Sequence, residues 1–178
     1  GFLASAILVV SVTLPKMQAL TVHRTIYDKT TRGMRIFLKT PRLRGLLALN
    51  MAVAAASAMV IVNTVVLVQA DFGFSQRSTA IALAFFGVGS MISALILPRI
   101  LDKMSDRLPM MVGTGLLVVG LGLGILLKDY FTLVALWALL GVGYSRSQTP
   151  SGRLLRRSST PEDRPALFAA QFALSHSC

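Results

Sequence analysis

The residues best suited to chemistry lie in one short charged stretch, Pro98 to Arg107, set between two long apolar blocks. Asp102 and Asp106 alternate there with Arg99, Lys103 and Arg107. A carboxylate at a helix end can pair with cations and with the positive N-terminus of a neighbouring helix. On an exposed loop such a pair is worth only about 0–1 kcal/mol, and it gains at a partly dry helix boundary. Two readings follow. The stretch is either a latch between helices or a solvated hairpin loop whose charges stop the two helices.

Polar side chains inside the apolar blocks form a second constellation. Asn50, Asn63 and Gln69 fall in residues 46–70, and Gln171 and His176 in the last segment. A polar group in hydrocarbon seeks a partner or a wet cavity, so Asn63, the deepest, is the first candidate for a cavity wall, with Gln171, Asn50 and His176 beside it. The alternative is an interhelical hydrogen bond worth about 0.6 kcal/mol. His176 could titrate near neutral pH and serve a proton-coupled cycle, or simply be packed. No block carries Asp, Glu, Lys or Arg at its middle, so an intramembrane proton carrier would have to lie outside this chain.

Small residues form a third. Gly113, Gly115, Gly120, Gly122 and Gly124 share one block, with Gly120 and Gly124 in GxxxG spacing, while Gly87, Ser90 and Ser93 lie in the preceding one. Small side chains let helix backbones approach closely. The same glycines could instead loosen a gating helix. Enzyme signatures are missing: there is no HExxH, no GxSxG, no phosphate-binding loop and no paired intramembrane carboxylates. The sequence therefore names no catalytic residue, no metal ligand and no cofactor. The single cysteine, Cys178, excludes an intrachain disulfide.

The elements that would position these residues are all helices. Hydrophobic residues make up 54% of the chain and come in long blocks rather than at the spacing of a soluble core, with charges swept into the gaps. A hydrocarbon slab of ~30 Å needs about 20 apolar residues wound as a helix. Residues 46–70, 78–97, 108–127 and 130–144 (or on to 149) read as four complete spans, with partial spans at 1–15 and 166–178. The first of the four would reach ~37 Å, enough to cross with some tilt. Within the polar stretch 16–44, residues 33–39 are either a short amphipathic helix on the membrane surface or part of a solvated linker.

Charge sets the orientation. The net charge of +11 would suit nucleic acid in a soluble protein, but the cations lie between apolar blocks and no zinc or base-stacking motif accompanies them, so no nucleic-acid partner is expected. The 16–44 connection has eight cations and one anion, the 99–107 loop three and two, and the 145–165 loop five and two. The turns at 71–77 and 128–129 carry one of each. Basic loops thus alternate with neutral turns, which places the basic set in the cytoplasm of a multi-pass protein of the cell inner or plasma membrane. The lipid bilayer is the first partner implied.

The charged loop resembles the short cytoplasmic motif of the major facilitator superfamily, Gly-x-x-x-Asp-Arg/Lys-x-Gly-Arg-Arg/Lys. Asp102, Lys103 and Arg107 match it, whereas Pro98, Ser105 and Asp106 depart from it. The resemblance implies two six-helix halves joined by a cytoplasmic linker. Residues 1–15 would end the sixth helix, 16–45 would be the linker, and 46–178 an incomplete C-terminal half. The chain would then be a fragment whose partner is the missing N-terminal half. The stretches Thr149–Arg157 and Pro161–Phe172 resemble efflux-type members. What the family implies is a secondary transporter moving a small-molecule substrate by alternating access, with ion-coupled efflux the expected direction. A non-transporting scaffold or assembly subunit is the alternative.

Overall fold

The computed structural model describes residues 2–12 and 26–176, and among them every regular element is a helix. These are α1 (Phe2–Ser11), α2 (Ile26–Lys39), α3 (Pro41–Val65), α4 (Gln76–Leu101), α5 (Arg107–Leu123), α6 (Tyr130–Gln148), α7 (Ser151–Arg157) and α8 (Arg164–His176). Pro41 opens α3, where its missing N–H costs nothing. The last turns of α3 widen to π geometry over Val66–Asp71. The chain then reverses at Gly73, whose φ of +69° favours a residue without Cβ. A single 3₁₀ turn, Gly124–Leu126, tightens the end of α5. Asp129 caps α6 by accepting a 2.9 Å hydrogen bond from the Thr132 N–H.

Among the described residues three helices are long and apolar enough to cross a membrane: Pro41–Asp71, Gln76–Leu101 and Arg107–Leu126. Protein buries only 28%, 22% and 28% of their most apolar windows. The remaining surface is Met, Ile, Val, Leu and Phe facing outward, such as Ile61, Val62, Leu95, Val118 and Val119. So large an apolar exterior needs hydrocarbon as its solvent, and helices are one of two structures that satisfy their backbone there. The fourth expected span, 130–144, lies within α6, which is not among the three. Its last turns carry Ser145, Arg146, Ser147 and Gln148, which make it less apolar than the other three, and it packs against α4 and α5.

Two cores hold the bundle. The larger joins α3, α4, α5 and α6 through Val53, Val60, Ala82, Leu117, Leu133, Trp137 and Leu140. Trp137 Nε1 donates to Thr64 Oγ1 at 2.6 Å, and that hydroxyl bonds in turn to the Val60 carbonyl. The indole thus keeps its one polar atom satisfied in an apolar setting. The smaller core joins Phe37 of α2, Leu43 and Leu46 of α3, Met110 of α5, Leu155 of α7, and Leu167 and Ala170 of α8.

This second core bears on the reading of the linker. Residues 33–39 are helical, as one of the two readings expects, and belong to a longer α2 that packs one face on α8 and leaves Met34, Arg35, Leu38 and Lys39 exposed. Phe37 is fully buried, and a side chain at Gly33 would overlap the Ala166 carbonyl. Arg32 grips Asp163 with two hydrogen bonds of 2.6 and 3.1 Å. Residues 16–25 of the expected linker lie outside the described residues. The 145–165 connection is also more ordered than a loop, since α6 runs to Gln148 and α7 occupies its middle.

Candidate functional site at the basic end of the bundle

Helix direction brings the start of α3, the end of α4, the start of α5, the end of α6 and all of α7 to one end. The charged loop between α4 and α5 meets α7 there. Arg153 and Arg157 are four residues apart on α7 and so project from one face. Both reach Asp106. Arg157 Nη1 donates to Oδ2 at 2.7 Å, and Arg153 Nε sits 3.2 Å from Oδ1, an ion pair without hydrogen-bond alignment. Arg153 Nη2 also donates to the Leu101 carbonyl at 3.3 Å, at the exposed-carbonyl end of α4. One short helix thus staples the end of α4 to the start of α5.

The carboxylate in this clasp is Asp106, not Asp102. Asp106 is 4% exposed. Asp102 is exposed, caps the end of α4 through its backbone, and makes no side-chain hydrogen bond or ion pair among the described residues. Lys103 and Arg107 are exposed as well. Asp106 occupies the N-cap position of α5 without capping it, because its side chain is turned to the arginines. Of the three positions where the loop departs from the superfamily pattern, Asp106 is therefore the one that carries the contact.

The polar candidates separate into two places. Asn50 is 6% exposed, its Nδ2 has no hydrogen-bond partner, and it lines a cavity of about 60 Å³ with Gln148, Leu174 and Ser175. Gln171, one turn before Ser175 on α8, has a buried Oε1 without a hydrogen-bond partner. An unmet donor and an unmet acceptor thus lie on facing helices. His176 ends α8, and its side chain lies outside the described residues. Asn63, half-buried, stands apart and donates to the Met59 carbonyl of its own helix at 3.1 Å. Sequence reasoning ranked Asn63 first by depth along the span, but rotation about the axis decides. The buried row of α3 is Asn50, Val53, Ala56, Val60 and Thr64, and Asn63 misses it.

The small residues are sorted the same way. Gly120 is buried against Leu140, while a Cβ at Gly124 would meet only Leu136, at 4.0 Å. The closest helix approaches lie elsewhere, where a side chain at Gly89 would overlap the Ala138 carbonyl and one at Gly141 the Phe86 carbonyl. Gly113 and Gly143 face each other across α5 and α6 at similarly short range. Gly87, Gly115 and Gly122 face open space. Among the described residues no three His, Cys, Asp or Glu side chains are grouped to hold a metal.

This bundle of apolar helices, with its charged loop clasped at one end, agrees with the family comparison: the model of the Major Facilitator Superfamily matches residues 46–176. The chain belongs to the Major Facilitator Superfamily. The match runs from α3 to α8 and so includes the clasp and both unpartnered amides. No curated protein and no solved structure matches the chain. Membership makes this a membrane-integral transporter domain, and the superfamily is one of transporters rather than enzymes.

Proposed function

We propose that the chain is the C-terminal half of a secondary transporter that exports a small molecule, coupled to an ion gradient, by alternating access. The observation that carries the mechanism is the buried Asp106 held by two arginines across the connection between α4 and α5. Two halves rocking about a midplane site require each half to move as a body. A clasp that ties three helix ends together supports that requirement. Export of a small organic compound is favoured by the resemblance of α7 and α8 to efflux-type members. Coupling to an ion rather than to ATP is favoured by the missing phosphate-binding loop.

In this reading residues 1–15 end the helix before the linker, 16–45 form the linker, and the basic end faces the cytoplasm. Exposed Asp102 and Lys103 are then free to meet the N-terminal half. Asn50 and Gln171 line the substrate path, with His176 at its end, and Asn63 serves its own helix. The full transporter in proteoliposomes tests the proposal. Accumulation of a fluorescent organic cation against its gradient, collapsing with an ionophore, is the expected result. Equilibration without accumulation would overturn ion coupling, and no flux of any probe would favour a scaffold role.

A further inference from the structure

A second and larger cavity opens at the basic end beside the clasp, sharing Asp106 and Arg157 with it. It measures about 770 Å³ and lies between the first turns of α3, the first turns of α5, and α7. Its charged wall holds Arg42, Arg107 and Arg157 against a single carboxylate, Asp106. That carboxylate is already answered by Arg153 and Arg157. Arg42 and Arg107 are exposed and have no ion-pair partner among the described residues. Two helices of 25 and 17 residues begin at the wall, and neither start is capped by a side chain. Their positive ends add to the charge. Apart from Ser105 the rest of the lining is apolar, with Leu46 and Met110 buried at its floor and Met111 opening onto the outward face of α5.

We propose that this cavity binds one acidic phospholipid of the surrounding leaflet. The phosphate would sit between Arg42 and Arg107, and the upper acyl chain would run over Leu46, Leu49 and Met111. Charge complementarity points to an anion. The apolar floor points to an amphiphile, since a free phosphate would leave that surface uncovered. Basic pockets between membrane helices at the positive-inside end are suited to such headgroups. The inference is independent of transport, because a chain that moves no substrate can still retain a lipid.

The test is lipid retention by the purified chain after reconstitution in nanodiscs of equal parts phosphatidylcholine and phosphatidylglycerol, read by native mass spectrometry after detergent release. Phosphatidylglycerol should be retained preferentially. Arg42→Gln and Arg107→Gln should each lower its retention roughly 5-fold, the weight of about one surface cation. Arg99→Gln with Arg156→Gln, at the same end but outside the cavity, should leave it unchanged. Gly45→Phe removes no charge and fills the cavity from a position where a Cβ meets nothing within 4 Å. It should displace the lipid while helicity by circular dichroism is kept. Equal loss in the Arg99/Arg156 variant would mean diffuse surface attraction and overturn the site. So would retention without lipid preference, or retention undiminished in Gly45→Phe. Release of the lipid by inorganic phosphate would overturn the lipid assignment in favour of a free-anion site.

Discussion

At the middle of the bundle α6 meets α4 and α5 through backbone, whereas at the basic end α7 meets them through charge. The first contact is made by Gly89, Gly141, Gly113 and Gly143, where the neighbouring carbonyls leave no room for a side chain. The second is made by Arg153 and Arg157 on Asp106, with the arginine side chains 35% and 59% exposed. A close-packed seam has one arrangement, because dispersion falls steeply with separation. A half-wet ion pair can open at small cost. A transporter half needs a body that keeps its shape and an end that can change partners, and the two regions supply them separately.

The sharpest break of that contrast is Gly141→Leu. The new side chain would drive α6 into the Phe86 carbonyl, at a cost of about 3 kcal/mol or more. Gly87→Leu, on the open face of α4, should change stability by less than about 1 kcal/mol. Unfolding in detergent titrated with sodium dodecyl sulphate, followed by the fluorescence of Trp137, the only tryptophan, measures both. Equal losses would mean that the seam is not a backbone contact.

Asp106→Asn comes next. Removing a buried carboxylate from two arginines that keep part of their hydration should cost about 1–2 kcal/mol, less than for a fully buried pair. Asp102→Asn should stay within about 0.5 kcal/mol, since that side chain is exposed and unpartnered among the described residues. In the full transporter the same two variants sharpen the proposal. Slower transport in Asp106→Asn is the signature of a clasp, and slower transport in Asp102→Asn alone is that of a contact with the other half. A stability loss in Asp102→Asn matching that of Asp106→Asn would remove the distinction drawn here.

Trp137→Phe deletes the hydrogen bond to Thr64 while keeping most of the ring, and should cost about 1 kcal/mol by circular dichroism. Thr64→Val should cost a similar amount, and the double variant no more than slightly above either. Full additivity would show that the two residues do not share the bond.

These comparisons also explain what the sequence could and could not reveal. Hydropathy located the apolar blocks because a bilayer demands length, and charge alternation ordered their ends. What it hid was rotation. A helix facing lipid on one side and protein on the other is apolar all round, so no amphipathic stripe marks the buried face. That is why depth alone favours Asn63 over the buried Asn50, and why sequence does not separate Gly87, on an open face, from Gly89, in the packed seam. The charged loop was legible as a site, but the choice between Asp102 and Asp106 depends on where α7 lies. The arginines of α7 are about 50 residues downstream and carry no signal of whom they face. Only α2, with a polar face to contrast with its apolar one, could have been read by rotation. Its partner, α8, still could not.

That docking of α2 on α8 supplies the smallest expected effect and a link between the two kinds of contact. Gly33 lies against the Ala166 backbone as Gly141 of α6 lies against α4, while Arg32 and Asp163 form an ion pair with side chains 35% and 13% exposed. If the backbone approach holds α2 and the ion pair only orients it, Arg32→Gln should cost less than about 1 kcal/mol and lose even that at high salt. Gly33→Leu should then release α2 at any salt concentration. Spin labels at Met34 and Phe168 would report the separation in both variants. If Arg32→Gln alone frees the helix, the charge holds it, and the linker then belongs with the breakable contacts of the basic end rather than with the packed seam.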